Sequence, residues 1–245
     1  MTENKVVLIT GASRGIGAET AKAFLAKDYL VVTAQRSPST IDNAIDIPVD
    51  LNDLEVCEAL IQKVVSQWGR LDILVNNAGL MKESSVEHCS LELWEETLRL
   101  NLTVPFLLSK FAIPYLKKHN GCIVNIGSVE GIGSNPNHAA YCASKAGLHA
   151  LTRATAVDHG REIRCNAVAP GWIETELNAN LVDSMSNPAS FKERLEDIHP
   201  LGRAGSPSEV AALVVYLASE EASFITGQTL IADGGRTVKL SLPSN

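Results

Sequence analysis

Short stretches of consecutive apolar residues recur along this chain and alternate with segments of helical period. Val6-Val7-Leu8-Ile9 is the first, and Leu30 to Ala34, Ala44 to Val49, Ile73-Leu74-Val75, Cys122 to Ile126, Ile163 to Val168 and Thr229-Leu230-Ile231 follow. A run that is apolar at successive positions has no wet face, so it suits a strand covered on both sides. Between these runs lie helical segments: a Gly-rich stretch running to about Lys27, Leu54 to Trp68, Leu91 to Lys118 with two prolines, Ala139 to Asp158, and Ser208 to Ala218. The alternation predicts an α/β fold, a doubly wound parallel sheet of about seven strands with helices on both faces. No linker or repeat divides the chain, so residues 1–245 are read as one domain. Two places depart from the pattern. Arg36 to Ile45 is short for a crossover helix. Between Thr175 and His199, Asn178, Asn180, Asn187 and Pro188 interrupt the helical stretches, and residues 176–200 are read as a substrate lid beside a strand's carboxyl end.

Composition excludes several classes. With 45% apolar and 20% charged residues the chain is neither disordered nor fibrous, and its net charge of −7 argues against a nucleic-acid or anionic-membrane surface. The longest apolar run, Ala211 to Ala218, is too short to span a bilayer, and the polar start reads as no signal peptide; a cytoplasmic protein is expected. The five cysteines form no CxxC pair and the six histidines no paired ligand spacing, so no metal site is expected.

Chemistry concentrates in a few places. Thr10-Gly11-Ala12-Ser13-Arg14-Gly15-Ile16-Gly17 follows the first strand and opens a helix. Such a turn lets backbone approach a pyrophosphate at a helix N-terminus, although an ordinary glycine turn with a cap would use the same residues. At the end of the second strand, Ala34-Gln35-Arg36 offers no carboxylate for an adenosine ribose. Arg36 and Arg14 supply cations for a 2′-phosphate, which favours NADP(H) while leaving NAD(H) possible. In Tyr141-Cys142-Ala143-Ser144-Lys145 the phenol and the ammonium share one helix face. A neighbouring cation lowers a phenol's pKa and makes it a usable acid/base. Ser128, after the fifth strand, can share a substrate oxygen with Tyr141 or simply cap a turn. Pro105 lacks an N–H, so the Asn101 carbonyl four residues earlier loses its helical partner.

Taken in order along the chain, these motifs resemble the short-chain dehydrogenase/reductase family. Asp50-Leu51, Asn76-Asn77-Ala78-Gly79, Pro170-Gly171-Trp172-Ile173-Glu174-Thr175 and Asp233-Gly234-Gly235 extend the resemblance over the whole chain. It implies a Rossmann-type fold and an oxidoreductase that moves a hydride between NADP(H) and a secondary alcohol or ketone. By the same resemblance Tyr141 is the general acid/base and Ser128 orients the substrate oxygen. Lys145 holds the nicotinamide ribose and lowers the Tyr141 pKa, while the main chain of Asn101 binds a relay water. Gly11, Ser13, Arg14, Gly15, Ile16 and Gly17 would face the cofactor phosphates, and Asp50 and Leu51 the adenine. Asn77, Ala78 and Gly79 would support the sheet and cofactor, and Pro170, Gly171, Ile173 and Thr175 would flank the nicotinamide. Helices Leu91–Lys118 and Ala139–Asp158 would pair with their copies in a homotetramer or homodimer.

The residues expected around a small-molecule substrate are Val129, Glu130, Asn137, His138, Trp172 and the lid. Two alternatives carry separate signatures. A 3-oxoacyl-(acyl-carrier-protein) reductase would need a basic docking patch, for which Arg161 and Arg164 are the candidates. A silent nucleotide-binding sensor would have no use for a Tyr–Lys pair.

Overall fold

A computed structural model describes residues 4–183, 185 and 187–240. Seven parallel strands form one sheet: β1 (Val6–Thr10), β2 (Leu30–Gln35), β3 (Ile45–Pro48), β4 (Ile73–Asn76), β5 (Cys122–Ile126), β6 (Arg164–Pro170) and β7 (Thr229–Ala232). Their spatial order is β3-β2-β1-β4-β5-β6-β7. Strand order reverses between β1 and β4, and at such a point the connections leave in opposite directions and open a crevice at the strands' carboxyl ends.

Alternation of side chains explains the two-sided core. Val7 and Ile9 of β1 face α1 (Gly15–Leu25) and α8 (Pro207–Ala218) through Phe24, Val210 and Val214. Val6 and Leu8 face α2 (Val56–Trp68) and α4 (Val104–Leu116) through Leu60, Val64 and Leu108. All five residues of β1 are buried, as a strand with two covered faces requires. Phe24 and Leu8 are fully buried, and burying such a side chain is worth roughly 1.5–3 kcal/mol.

Three local features refine the sequence reading. Residues 36–44 join β2 to β3 in parallel without a helix, and Ala34↔Ile47 and Gln35↔Pro48 stay in register. The long helical stretch is α3 (Leu91–Leu98), a π-helical segment (Arg99–Thr103) and α4. Val104 N–H reaches back to the Arg99 carbonyl, one residue beyond the α spacing, and Pro105 supplies no donor for Asn101. The stretch read as a lid contains α6 (Glu176–Asp183) and α7 (Pro188–Ile198). Asn187-Pro188 starts a helix there: the Asn187 side chain accepts from Ser190 N–H, and proline takes a first-turn position that needs no donor.

Candidate active site

The glycine turn is built by close backbone approach. Gly11 sits at φ +67°, and a Cβ there would lie 2.8 Å from Ala78 Cα. At Gly17 a Cβ would meet both the Gly11 carbonyl oxygen and Asn77 Nδ2 at 2.4 Å. Asn77 Nδ2 donates to the carbonyls of Thr10 and Gly11, at 2.9 and 2.8 Å. The Thr10 hydroxyl accepts from the N–H groups of Asn77 and Ala78, each at 3.0 Å. Thr10 thus fastens the turn to the end of β4. Its chemistry as a β-branched hydroxyl at a strand end was the available signal, and sequence reasoning passed over it.

α1 begins at Arg14 without a side-chain cap and with no acid in its first turn. By contrast α3, α7 and α8 are capped by Ser90, Asn187 and Ser206. The first N–H groups of α1 and its positive dipole end therefore remain open toward Ser13, Gly15 and Ile16, which fits a pyrophosphate. Arg14 and Arg36 are both exposed, and Gly11 N–H donates to the Ala34 carbonyl at 2.9 Å, tying the turn to the end of β2.

Gln35 behaves differently from a simple gap where a carboxylate might stand. It is buried, its Oε1 accepts from Ala12 N–H at 3.3 Å, and its Nε2 donates to Asp46 Oδ1 at 2.9 Å. Asp46 also accepts from the Thr33 hydroxyl and from Ser39 N–H. These donors hold its pKa below the usual carboxylate range against the opposing effect of burial. Asp50 is exposed and accepts from Asn52, while Leu51 packs into the α2/α4 core.

A cavity of about 230 Å³ lies at the switch point. Ile16, Asn77 and Gly79 line it, as do Pro170, Gly171, Ile173 and Thr175. Ser128, Tyr141 and Lys145 face the same cavity. Tyr141 and Lys145 lie one turn apart on α5 (Ala139–His159), with Lys145 Nζ 5.7 Å from the phenol ring centroid. Lys145 is almost wholly buried and donates to the Ile126 carbonyl at 2.7 Å. Burial alone lowers its pKa to about 8. Burial pushes Tyr141 up to about 12, against a hydrogen bond from Ser128 that lowers it.

Asn101, fully buried in the π-helical segment, is gripped at both ends. Its Oδ1 accepts from Leu80 N–H and its Nδ2 donates to the Leu80 carbonyl, both at 2.9 Å. Nδ2 also donates to Ser144 Oγ at 3.0 Å, which ties the segment to α5 between Tyr141 and Lys145. A Cβ on Gly79 would lie 3.1 Å from Asn101 Oδ1 and 3.6 Å from Lys145 Nζ, so the three groups adjoin.

Beneath Ser128 lies His149, a residue the sequence reading did not single out. A Cβ at Gly127 would fall 2.2 Å from its Nε2, and one at Gly131 2.5 Å from its Cε1. Its ring fills the space under the turn that presents Ser128. Burial, then Lys145 and Arg153, lower its pKa to about 4, and its Nε2 has no hydrogen-bond partner.

Among the described residues, no group of three or more His, Cys, Asp or Glu is placed to hold a metal ion, and no helix is long and apolar enough to cross a membrane.

Residues 11–237 match the family model described as enoyl-(acyl carrier protein) reductase. The chain belongs to the short-chain dehydrogenase/reductase family, whose members are NAD(P)(H)-using oxidoreductases. It is 37% identical to a 3-oxoacyl-[acyl-carrier-protein] reductase of Thermotoga maritima, over 96% of this chain and 99% of the relative. Identity to a meso-2,3-butanediol dehydrogenase of Serratia marcescens is 36%, over 98% of each. The ligand-free aldohexose dehydrogenase of Thermoplasma acidophilum superposes with a TM-score of 0.94 at 34% identity, over 99% of this chain and 97% of that one. Other similar structures carry NADP in ElxO and NADH in 4-hydroxyisoleucine dehydrogenase.

Proposed function

We propose that this short-chain dehydrogenase/reductase interconverts a small secondary alcohol and its ketone, with NADP(H) preferred and Tyr141 as general acid/base. The observation that carries this reading is the meeting of Tyr141, Ser128 and Lys145 in one cavity that Ile16, Asn77 and Gly79 also line. When bound, the nicotinamide supplies or accepts the hydride. The chain's own residues do the rest. Ser128 and the Tyr141 phenol hold the substrate oxygen, and the phenol gives or takes its proton. Lys145 places a positive charge beside the ribose side of the cavity and, with Asn101 and Ser144, fixes the face of α5 that presents Tyr141. Pro170, Gly171, Ile173 and Thr175 close the nicotinamide end, and α6 and α7 serve as the substrate lid.

For the cofactor, the exposed guanidinium groups of Arg14 and Arg36 at the tied-together turn and strand end support NADP(H). A charge-assisted bond contributes roughly 1.5–3 kcal/mol before solvent reduces it at an exposed rim, so a preference of about tenfold is expected. Gln35 is turned inward onto Asp46, so the exposed charge at this strand end is Arg36. The test is the pair of dissociation constants for NADPH and NADH, on the parent and on Arg36→Ala. Tighter NADH binding by the parent refutes the assignment.

Reduction of a ketone panel with NADPH tests the activity itself and separates it from a silent sensor, which would bind cofactor without turnover. A second reading, an acyl-carrier-protein reductase like the similar Thermotoga maritima protein, keeps the exposed Arg161 as the cation of its docking patch. Arg164 donates to the carbonyls of Leu217 and Ser219, at 2.6 and 3.0 Å, and so is spent on the end of α8. Phe106 on α4 and Val157 on α5 are 47% and 84% exposed, which supports pairing with further copies in a homotetramer or homodimer. A light-scattering mass near 26.2 kDa would contradict that assembly.

A further inference from the structure

The cavity wall beyond Ser128 carries a carboxylate that the catalytic groups do not use. Glu130 lies two residues past Ser128 on a short 3₁₀ turn, and its side chain is only 14% exposed. Glu130 Oε1 accepts from Asn135 Nδ2 at 2.8 Å, and Oε2 faces His138 Nδ1 at 2.6 Å. The Cys142 thiol donates to the same Oε2 at 3.5 Å, and burial pushes that thiol's pKa up. The other His138 nitrogen faces Glu83 at 3.8 Å. Arg236 lines the cavity too, yet its guanidinium donates to Asn135 Oδ1 at 2.8 Å and makes no ion pair with Glu130. Arg236, Asn135, Glu130, His138 and Glu83 thus form one chain of contacts that holds the carboxylate rigidly.

A buried carboxylate is costly unless it is fully hydrogen-bonded, and an ionised one can only accept. It has room for about four hydrogen bonds, of which the protein fills three. Glu130 lines the same cavity as Ser128 and Tyr141, and its N–H donates to the Ser128 hydroxyl at 3.1 Å, so the carboxylate stands next to the group that meets the substrate oxygen.

We propose that Glu130, locked by Asn135 and His138, is a specificity-determining residue that selects substrates carrying a second hydroxyl beside the reacting carbon: small α-hydroxy ketones and the vicinal diols they become. This rests on the alcohol/ketone reading above. The second hydroxyl donates to the remaining acceptor site of Glu130, whereas an anionic group at that position is repelled. In the reduction, hydride adds to the carbonyl carbon and the Tyr141 proton to its oxygen, and the second hydroxyl stays intact.

Three probes of similar size decide it: hydroxyacetone, butanone, which replaces the hydroxyl by a methyl, and pyruvate, which replaces the hydroxymethyl group by a carboxylate. A site built to hydrogen-bond a substrate hydroxyl discriminates strongly against an analogue without one. The parent enzyme with NADPH should show kcat/KM for hydroxyacetone at least about 100-fold above butanone and pyruvate. In Glu130→Leu the ratio of hydroxyacetone to butanone should fall below about tenfold, with Glu130→Gln intermediate. Equal use of hydroxyacetone and butanone by the parent, a preference for pyruvate, or an unchanged ratio in Glu130→Leu overturns the proposal. NADPH binding by fluorescence reports folding. If a variant no longer binds, the parent's ranking of the three probes decides alone. Reduction of other ketones without this preference refutes Glu130's role only, whereas no turnover of any carbonyl refutes the oxidoreductase reading beneath it.

Discussion

Replacing Lys145 by methionine should make the cofactor-free protein more stable at neutral pH while ending its chemistry. Methionine keeps the length of the side chain and removes the charge. In the folded protein the ammonium is withdrawn from water and its pKa falls from 10.5 to about 8. A depression of that size corresponds to about 3 kcal/mol of destabilisation whenever lysine is charged in the unfolded chain. The substitution also removes the 2.7 Å hydrogen bond to the Ile126 carbonyl, a loss of about 1–2 kcal/mol. A net gain of about 1–2 kcal/mol at pH 7 remains. The sign of the pH dependence is fixed. A base with a depressed folded pKa carries its full penalty below that value, and the penalty fades as pH rises toward the unfolded pKa. The variant's advantage should therefore be about 2 kcal/mol smaller at pH 10 than at pH 7. Urea unfolding of both proteins at the two pH values measures it, and kinetics with NADPH should show activity lost and cofactor binding weakened. A parent more stable than the variant at pH 7, or a difference independent of pH, would refute the reasoning.

Other outcomes are equally specific. Tyr141→Phe keeps the ring and removes the transferable proton; kcat should fall ~10²–10⁴-fold with NADPH affinity little changed, and activity within threefold of the parent would exclude Tyr141 as the acid/base. His149 has its pKa lowered to about 4, so its contribution to stability is present above pH 6.5 and is lost as pH falls toward 4. The loss should reach about 2 kcal/mol at pH 5, and His149→Asn should flatten that part of the melting-temperature profile. Gly17→Ala drives a methyl to 2.4 Å from the Gly11 carbonyl, which should cost about 1–3 kcal/mol in unfolding free energy and weaken cofactor binding. A variant as stable as the parent would show that the turn yields easily.

Features set by neighbouring residues were readable from the sequence. β5 runs from Cys122 to Ile126 as its apolar run indicates, and α5 starts at Ala139. Three glycines after a strand imply a tight turn opening a helix, and Tyr141 and Lys145 share a face because four residues make about one helical turn. Pro105 announced the break in the long helix, since a missing donor acts on a residue four positions back. All of these depend on short separations, where covalent geometry and period leave few alternatives.

Tertiary structure decided what depends on residues far apart in the chain. Gln35 at the end of β2 was open to face a ribose or turn inward, until Asp46 on the neighbouring strand drew its amide into the sheet. Arg164 was a candidate docking cation, and the end of α8 claimed it. His149 gained its place only when α5 packed beneath the Gly127–Gly131 turn, and Glu130 only when Asn135 and His138 closed around it. Charge and hydrogen-bond capacity are written in a residue's type. Which partner uses them is set by the strand order and helix packing that bring distant segments within about 3 Å of each other.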